Sequence, residues 1–263
     1  SLQSNETDAQ SYRPETVEGY NTDGFDLGTG TNCNQSNIDF VSWTWRKAPK
    51  FFDVVTWAGN GVAGREISHN LNNEVGLILV KRTNTAAAWY CLHKDSNLVI
   101  LNEIVAQYSE STTSLFFGDG SNLIRPTSSV FTLGSNAVVN GSGNTYVAYL
   151  FANNDGDGEF GPDSDQDAIK CGTYTGNGST GVTIDLGFEP QWLLIKRAGD
   201  PQNWNIYDNM RGLTAGPDSP SLSPNINNAE GGGNEITVLP NGFAIFDGND
   251  NVGSSGDPYI YMA

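Results

Sequence analysis

The chain has 263 residues and a formal net charge of −17, with 13 Lys and Arg against 30 Asp and Glu. The cations are too few to form a cluster that neutralises phosphates, which excludes nucleic acid as a partner. No apolar stretch is long enough to cross a bilayer, so no membrane partner is expected either. The acidic surface is typical of a protein that stays soluble at high ionic strength, and attraction of a cationic partner is the alternative.

Residues 1–53 are predicted to form a polar N-terminal arm followed by the closing strands of an incomplete upstream repeat. Because the sequence begins with Ser1 and not with Met, further residues are expected upstream of it. Residues 1–23 are polar and are expected to form an extended arm. The phrases at 24–28 and 40–43 recur at 131–134 with 146–149, and again at 242–245 with 259–262. We expect the block 25–45 to pair with a sheet edge of its own chain or of a neighbouring subunit, because an orphan strand exposes unpaired backbone groups.

Residues 54–152 are predicted to form the first complete β-sandwich repeat. Helical periodicity is hard to find, and 98–109, the longest helical candidate, is rich in Val and Ile and is predicted to be a strand. The density of short strands is that of an antiparallel sandwich. The other strand candidates are 53–57, 65–69, 75–82, 88–93, 103–108, 129–133 and 145–152. Lys81 and Arg82 end a buried strand and are predicted to mark where it reaches solvent, with ligand binding as the alternative.

Residues 153–171 are predicted to form an acidic linker between two repeats. Its carboxylates alternate with glycines, which offers hard oxygen ligands on a flexible backbone, as Ca²⁺ requires. The pattern starts like an EF-hand loop at Asn153 and then fails, because Ser164 stands at the twelfth place. The predicted ligands are Asp155, Asp157, Asp163 and Asp165, and a solvated spacer without metal is the alternative.

Residues 172–263 are predicted to form the second repeat. The phrase at 56–61 recurs 117 residues later, and both the phrase at 77–82 and Trp89 recur 115 residues later. A period of this length indicates a small domain with its own core, and tandem domains usually present surfaces. The Pro- and Gly-rich segment 214–234 is predicted to be a long surface loop.

The phrases at 172–180, 187–197 and 204–208, and the acidic joint that ends at 165–171, resemble a tandem domain of unknown function. That domain is found in structural proteins of marine tailed phages, often described as tail fibres or virion proteins. The resemblance covers about residues 24–263, and it implies a virion-surface location with other virion subunits as partners. It assigns no catalytic residue. The family usually continues past Tyr-Ile-Tyr-Met-Ala with Phe-Ala-Glu, whereas this sequence ends at Ala263.

Few residues are arranged as catalytic or binding groups. The glycine patterns at 59–64 and 176–181 are each followed by a strand, so they are predicted to be hairpin turns and not dinucleotide-binding loops. His69 and His93 are the only imidazoles and do not recur in the second repeat. Aromatic and polar side chains that could stack on a sugar ring are Trp204, Asn205, Tyr207 and Asp208. Because Trp204 recurs as Trp89, a core position is the alternative for it.

The sequence therefore predicts an all-β protein of tandem antiparallel β-sandwich domains, jelly-roll or concanavalin-like. It is not expected to be an enzyme. The expected function is that of a phage virion structural protein, a tail fibre or another host-contacting appendage that binds, with a homo-oligomeric state and a host surface glycan as ligand. A capsid decoration or head-fibre protein, a polysaccharide-degrading virion enzyme and a bacterial adhesin are the alternatives.

Overall fold

A computed structural model describes residues 1–216 and 219–263, so residues 217 and 218 of the predicted loop 214–234 lie outside the described residues. Strands make up 33% of the chain and helices 3%. All pairs of named strands are antiparallel. The predicted all-β, sandwich-like fold class is confirmed.

Two short strands, β1 (Val17–Tyr20) and β2 (Phe25–Leu27), form a hairpin in the N-terminal region. The first unit contains β3 (Phe52–Ala58), β4 (Arg65–Ser68), β5 (Val75–Arg82), β6 (Trp89–His93), β7 (Leu98–Ile100), α1 (Glu110–Thr113), β8 (Val130–Leu133), α2 (Ala137–Asn140) and β9 (Thr145–Ala152). The second unit contains β10 (Cys171–Thr175), β11 (Val182–Asp185), β12 (Trp192–Arg197), β13 (Trp204–Asp208), β14 (Ile236–Leu239), β15 (Gly242–Ile245) and β16 (Pro258–Met262).

In the first unit, a five-stranded sheet in the order β3-β9-β5-β6-β7 faces the pair β4-β8. Aromatic rings fill the space between the two sheets. Trp57 stacks on Tyr146 with ring centroids 5.4 Å apart and meets Phe131 edge-on at 5.6 Å. Because successive strand residues point to opposite faces, the alternate residues of the larger sheet form a second, outer face.

The second unit repeats this arrangement with the orders β10-β16-β12-β13 and β11-β15-β14. Tyr174 takes the place of Trp57: it stacks on Tyr259 at 5.0 Å and meets Phe243 edge-on at 6.2 Å. The register is also shared. Lys81 lies opposite Trp89 across β5 and β6, and Lys196 lies opposite Trp204 across β12 and β13.

The two units pack together through the outer faces of their larger sheets. His93 Nε2 of the first unit lies 3.1 Å from the carbonyl oxygen of Tyr261 in the second. A Cβ on Gly76 would lie 2.5 Å from Cys171 Sγ, so only glycine allows this approach. One continuous hydrophobic cluster contains residues of both units. A shared, close-packed core fixes the orientation of one unit relative to the other.

Two predicted strands are corrected by the structure. Residues 40–45 form no strand, and of the block 25–45 only Phe25–Leu27 pairs, with β1. The equivalent strand β9 lies between β3 and β5, and the N-terminal region as described contains no such neighbours. Residues 103–108 also form no strand, because the chain leaves the sheet after β7 and crosses to the second unit, where Gln107 N donates to Ala198 O.

The two glycine-rich turns are also not hairpins. The turn after β3 leads to β4, but β3 pairs with β9 and β4 pairs with β8. The turn after β10 leads in the same way to β11 in the facing sheet. The positive φ values fall on glycines, 74° at Gly61 and 71° at Gly178, as an arch between two sheets also requires.

Candidate functional site

A cleft of about 660 Å³ opens between the outer faces of the two large sheets. Such a volume lies within the range of small-molecule sites. Strands of the first unit contribute Tyr149 and Phe151 to the wall, and strands of the second contribute Trp192 and Leu194. The cleft is therefore apolar and aromatic, and it exists only because the two units are held together.

Two tryptophans of the N-terminal region enter this cleft. Trp45 meets Phe151 edge-on at 5.9 Å and Trp192 edge-on at 5.5 Å. Trp43 meets Trp192 at 6.4 Å. Edge-to-face pairs of this kind contribute about 0.5–1.5 kcal/mol beyond the area they bury. Residues 43–45, outside any strand, are thus fixed by aromatic contacts.

Asp208 anchors Trp43 from the second unit. Its Oδ2 accepts hydrogen bonds from Arg211 Nε at 2.7 Å and from Trp43 Nε1 at 3.2 Å. The Arg211 guanidinium lies 5.7 Å from the centre of the Trp43 ring, within cation–π distance. The carboxylate is buried and both of its partners are donors, so its charge is compensated inside the protein.

The structure places all four residues predicted to contact a sugar in the interior. Trp204, Asn205, Tyr207 and Asp208 are each at most 3% exposed. The Tyr207 hydroxyl donates to Glu235, and burial, together with that carboxylate, raises the pKa of Tyr207 well above its usual value. The four side chains belong to one strand and point to its two faces, so they form no exposed sugar platform. The core alternative for Trp204 matches its burial.

The four carboxylates predicted to bind calcium are spread along the linker. Asp155 pairs with Lys170 at 3.0 Å. Asp157 accepts from Asn73 Nδ2 at 3.2 Å and from its own loop at Asp155 N. Asp163 and Asp165 are exposed. Within residues 1–216 and 219–263, no three His, Cys, Asp or Glu side chains are gathered so that they could hold one ion. Calcium binding stays a prediction.

A second site is formed where residues 2–10, here named strap 1, cross the edge of the first unit. The carbonyl of Gln3 accepts from Trp89 Nε1 at 2.9 Å. The carbonyl of Thr7 accepts from Lys81 Nζ at 2.8 Å and from Ala87 N at 2.8 Å. Gln10 N donates to Thr83 O at 2.8 Å. We name this receiving surface, made of Lys81, Trp89 and the turn 83–87, the Lys–Trp groove.

Residues 99–107, strap 2, make the same four hydrogen bonds on the second unit. The carbonyl of Ile100 accepts from Trp204 Nε1 at 3.0 Å. The carbonyl of Ile104 accepts from Lys196 Nζ at 3.3 Å and from Gln202 N at 2.7 Å. The fourth bond is that of Gln107 N with Ala198 O, at 3.0 Å. Each strap residue lies 97 positions after its counterpart in strap 1, and each groove residue lies 115 positions after its counterpart.

Lys81 and its counterpart Lys196 are fully buried, so the prediction that Lys81 marks an exit to solvent is wrong. Burial lowers the pKa of Lys81 to about 8, against the attraction of Asp8. Burial, with the neighbouring Arg197, lowers the pKa of Lys196 to about 8. Strap carbonyls supply the acceptors that a buried ammonium needs. The Lys–Trp pair therefore binds a crossing backbone.

The straps have a sequence signal of their own. Asn5-Glu6 and Ala9-Gln10 recur as Asn102-Glu103 and Ala106-Gln107, and in weaker form as Asn225 with Ala229-Glu230. The asparagine has a structural role. Asn102 Oδ1 accepts from Trp89 N at 2.7 Å, and Asn225 Oδ1 accepts from Trp204 N at 3.1 Å. Each thereby fixes a strap to the unit from which it emerges.

A family model described as "Domain of unknown function (DUF7483)" matches residues 1–263. No curated protein and no solved structure matches the chain. In the part of the chain that the structure describes, none of the helices combines the length and the hydrophobicity that crossing a membrane requires.

Proposed function

The chain belongs to this family over its whole length, and we propose that it is a structural protein of a phage particle that works by binding. A tail fibre or another host-contacting appendage on the virion surface is the form we favour. Other virion subunits would be its partners, and a host surface glycan its ligand. The phage context comes from the resemblance of its repeated phrases to virion proteins.

The observation that carries this proposal is the interlocking of the two units. Strap 2 leaves the first unit, crosses the groove of the second and closes four hydrogen bonds there. Both units also contribute to one hydrophobic cluster. Domains joined only by a linker move relative to one another by default, whereas a shared core and a strap hold them as one body. Such rigidity suits a part that transmits a fixed geometry.

The aromatic cleft is the surface on which we would place a glycan. Its walls carry aromatic faces, which can stack on sugar rings, and Trp192 Nε1 has no hydrogen-bond partner among the described residues. The sugar residues proposed from sequence lie under this surface, in the interior. The binding residues proposed are therefore Trp43, Trp45 and Trp192.

The test has two parts, and location comes first. Antibodies against the protein, applied to intact particles and viewed by electron microscopy, should label an appendage. The copy number per particle should be in the tens at most. Labelling over the head with hundreds of copies would favour the capsid decoration alternative. Particles without the protein would overturn the virion proposal.

Binding to purified host polysaccharide should be measured with the wild-type chain and with Trp43→Ala. Phe40→Ala is the matched control, since Phe40 lies in the same region and does not line this cleft. We expect Trp43→Ala to weaken binding and Phe40→Ala to leave it unchanged. New reducing ends in the same incubation would favour the polysaccharide-degrading enzyme.

A further inference from the structure

The N-terminal region exposes apolar positions that are buried in both complete units. Leu27 of β2 is 42% exposed, whereas Leu133 and Ile245, at the same place in the recurring phrase, are 0% and 1% exposed. Phe40 is 49% exposed, whereas its counterpart Tyr146 is 1% exposed. β1 pairs with β2 as β14 pairs with β15, so the hairpin resembles that of the second unit. It therefore forms part of a sandwich whose other half does not lie among the described residues.

A third strap is present and half engaged. In residues 222–230, strap 3, Leu222 exchanges two hydrogen bonds with Ile206, and Asn225 holds Trp204 N. This is how strap 2 is fixed to its own unit. In strap 2, the groups that bind the groove lie at fixed distances along the sequence from Asn102. The same distances from Asn225 give the carbonyls of Ser223 and Asn227 and the amide of Glu230 as the groups that should meet the next groove. Residues 227–230 are exposed, and among the described residues neither Asn227 O nor Glu230 N makes a hydrogen bond.

The N-terminal region already touches the second unit at the matching place. Trp43 donates to Asp208, which corresponds to His93 of the first unit. His93 in turn bonds to Tyr261, next to Met262, the counterpart of Trp43 in the recurring phrase. The N-terminal region thus contacts the second unit as the second unit contacts the first.

Two equivalent strap contacts run in one direction, and a third contact would close the cycle. The N-terminal region crosses the first unit with strap 1, and the first unit crosses the second with strap 2. The second unit, with strap 3, faces the N-terminal region. The cleft agrees with this symmetry, since it is lined by Trp43, Tyr149 and Met262, the same phrase position in all three. The cleft therefore lies where the three related segments meet.

We propose that residues 1–47 are the closing half of a third unit, and that strap 3 binds the Lys–Trp groove of its opening half. That opening half consists of strands equivalent to β3 through β6 and is carried by the same polypeptide ahead of strap 1. The element order of both complete units favours the same polypeptide, because in each unit the opening strands precede the strap along the chain. Both grooves within residues 1–263 are already filled by straps 1 and 2. The proposal rests on these contacts alone and holds wherever the protein is located.

The test supplies the missing half from the chain itself. A copy of residues 48–97 is joined directly ahead of Ser1 in the complete chain, so that the added segment meets strap 1 as residue 97 meets Leu98. Backbone hydrogen exchange, sedimentation velocity and thermal unfolding are then compared with the original chain. We expect a monomer, a higher melting temperature and exchange of the Glu230 amide slowed by at least about tenfold.

The matched control is the same extended chain with Lys81→Met in the added copy only. This change removes the ammonium that should bind the carbonyl of Asn227, so the protection of strap 3 should fall while the rest of the protein keeps its exchange pattern. If the extended chain folds and Glu230 exchanges as fast as before, the proposal is overturned. Concentration-dependent association of the extended chain would also overturn it, because strap 3 would then bind another copy.

A second measurement covers the case in which the extended chain does not fold. In the original chain with Cys33→Ser, the pair Glu230→Cys and Thr83→Cys places thiols where strap 3 would meet the groove of another copy. Strap 1 provides the geometry, since Gln10 N lies 2.8 Å from Thr83 O. Covalent multimers on oxidation would show capture between copies and would overturn the proposal. A monomeric product supports the closed arrangement.

Discussion

Acid should weaken the contact between the two units through His93. Burial lowers the pKa of this imidazole to about 4, against the hydrogen bond to the Tyr261 carbonyl, which raises it. The neutral ring donates from Nε2 to Tyr261 O and accepts at Nδ1 from Asp95 N, at 3.2 Å. Protonation would add a hydrogen to Nδ1, so that two N–H donors, this one and the Asp95 amide, would face each other. The folded protein therefore favours the neutral form of the His93 side chain.

The size of the effect follows from the two pKa values. The unfolded chain has the ordinary value of 6.5, so it binds more protons than the folded chain as the pH falls from 6.5 towards 4. Stability is fully retained above pH 6.5 and is lost through that window. The full shift corresponds to about 3 kcal/mol at roughly 1.4 kcal/mol per pH unit, and most of it is lost by pH 4.5.

The assay is urea unfolding at pH 7.5 and pH 4.5 for the wild type and for His93→Gln. Glutamine stays neutral at both pH values and keeps a donor for the Tyr261 carbonyl, so carboxylate effects common to both proteins cancel. The wild type should lose about 2–3 kcal/mol more than the variant. Equal losses in the two proteins would refute the assignment of the acid effect to His93.

Three further perturbations test the interface and the linker. Trp204→Phe removes the hydrogen bond to the Ile100 carbonyl and should cost about 1–3 kcal/mol in urea unfolding, since the carbonyl stays buried. Gly76→Ala places a Cβ 2.5 Å from Cys171 Sγ and should cost about 1–3 kcal/mol. Calcium binding requires the linker carboxylates to leave their present partners, so calorimetry should show heat only near about millimolar calcium, and less heat with Asp157→Asn.

Each of these predictions has a result that contradicts it. For Trp204→Phe, it is an unfolding midpoint equal to that of the wild type. Gly76→Ala should be partly rescued by Cys171→Ala, which removes the clashing sulfur, and a double variant no more stable than Gly76→Ala would contradict the steric explanation. Calorimetry without heat, together with a melting curve unchanged by a chelator, would leave the linker as a solvated spacer.

The fold class was predictable from sequence because strands and their turns are encoded locally. Apolar stretches of strand length, separated by Gly and Asn, coincide with nearly every strand of the two complete units. The repeated phrases occupy equivalent registers in the two sheets. The strand predictions failed where the structure of a segment depends on a distant part of the protein that it pairs with or crosses. Residues 40–45 carry strand patterning but have no neighbours to pair with, and residues 103–108 leave the sheet to cross a groove.

The site residues were less predictable, because their role depends on distant backbone. Trp204 and Asp208 suggested a sugar platform, yet both are interior, one held by the Ile100 carbonyl and the other by Arg211 and Trp43. Lys81 suggested an exit to solvent, yet carbonyls of residues 7 and 87 receive its ammonium. The side chain of a residue whose carbonyl accepts such a bond gives no sign of that role, since every residue carries the same backbone oxygen.

Side-chain alternation and turn residues act over a few positions, so local patterns predicted the all-β class, most of the strands and the repetition of one unit. Sheet packing, in contrast, brings Lys81 and Trp89 together as a groove, lays strap 1 and strap 2 across successive grooves and opens an aromatic cleft between the outer faces. The hydrogen bonds between the grooves and the straps join side chains to backbone carbonyls that lie 74 to 104 residues away. Such pairings are set by how the sheets pack in space and leave only the faint Asn-Glu and Ala-Gln repeat in the sequence.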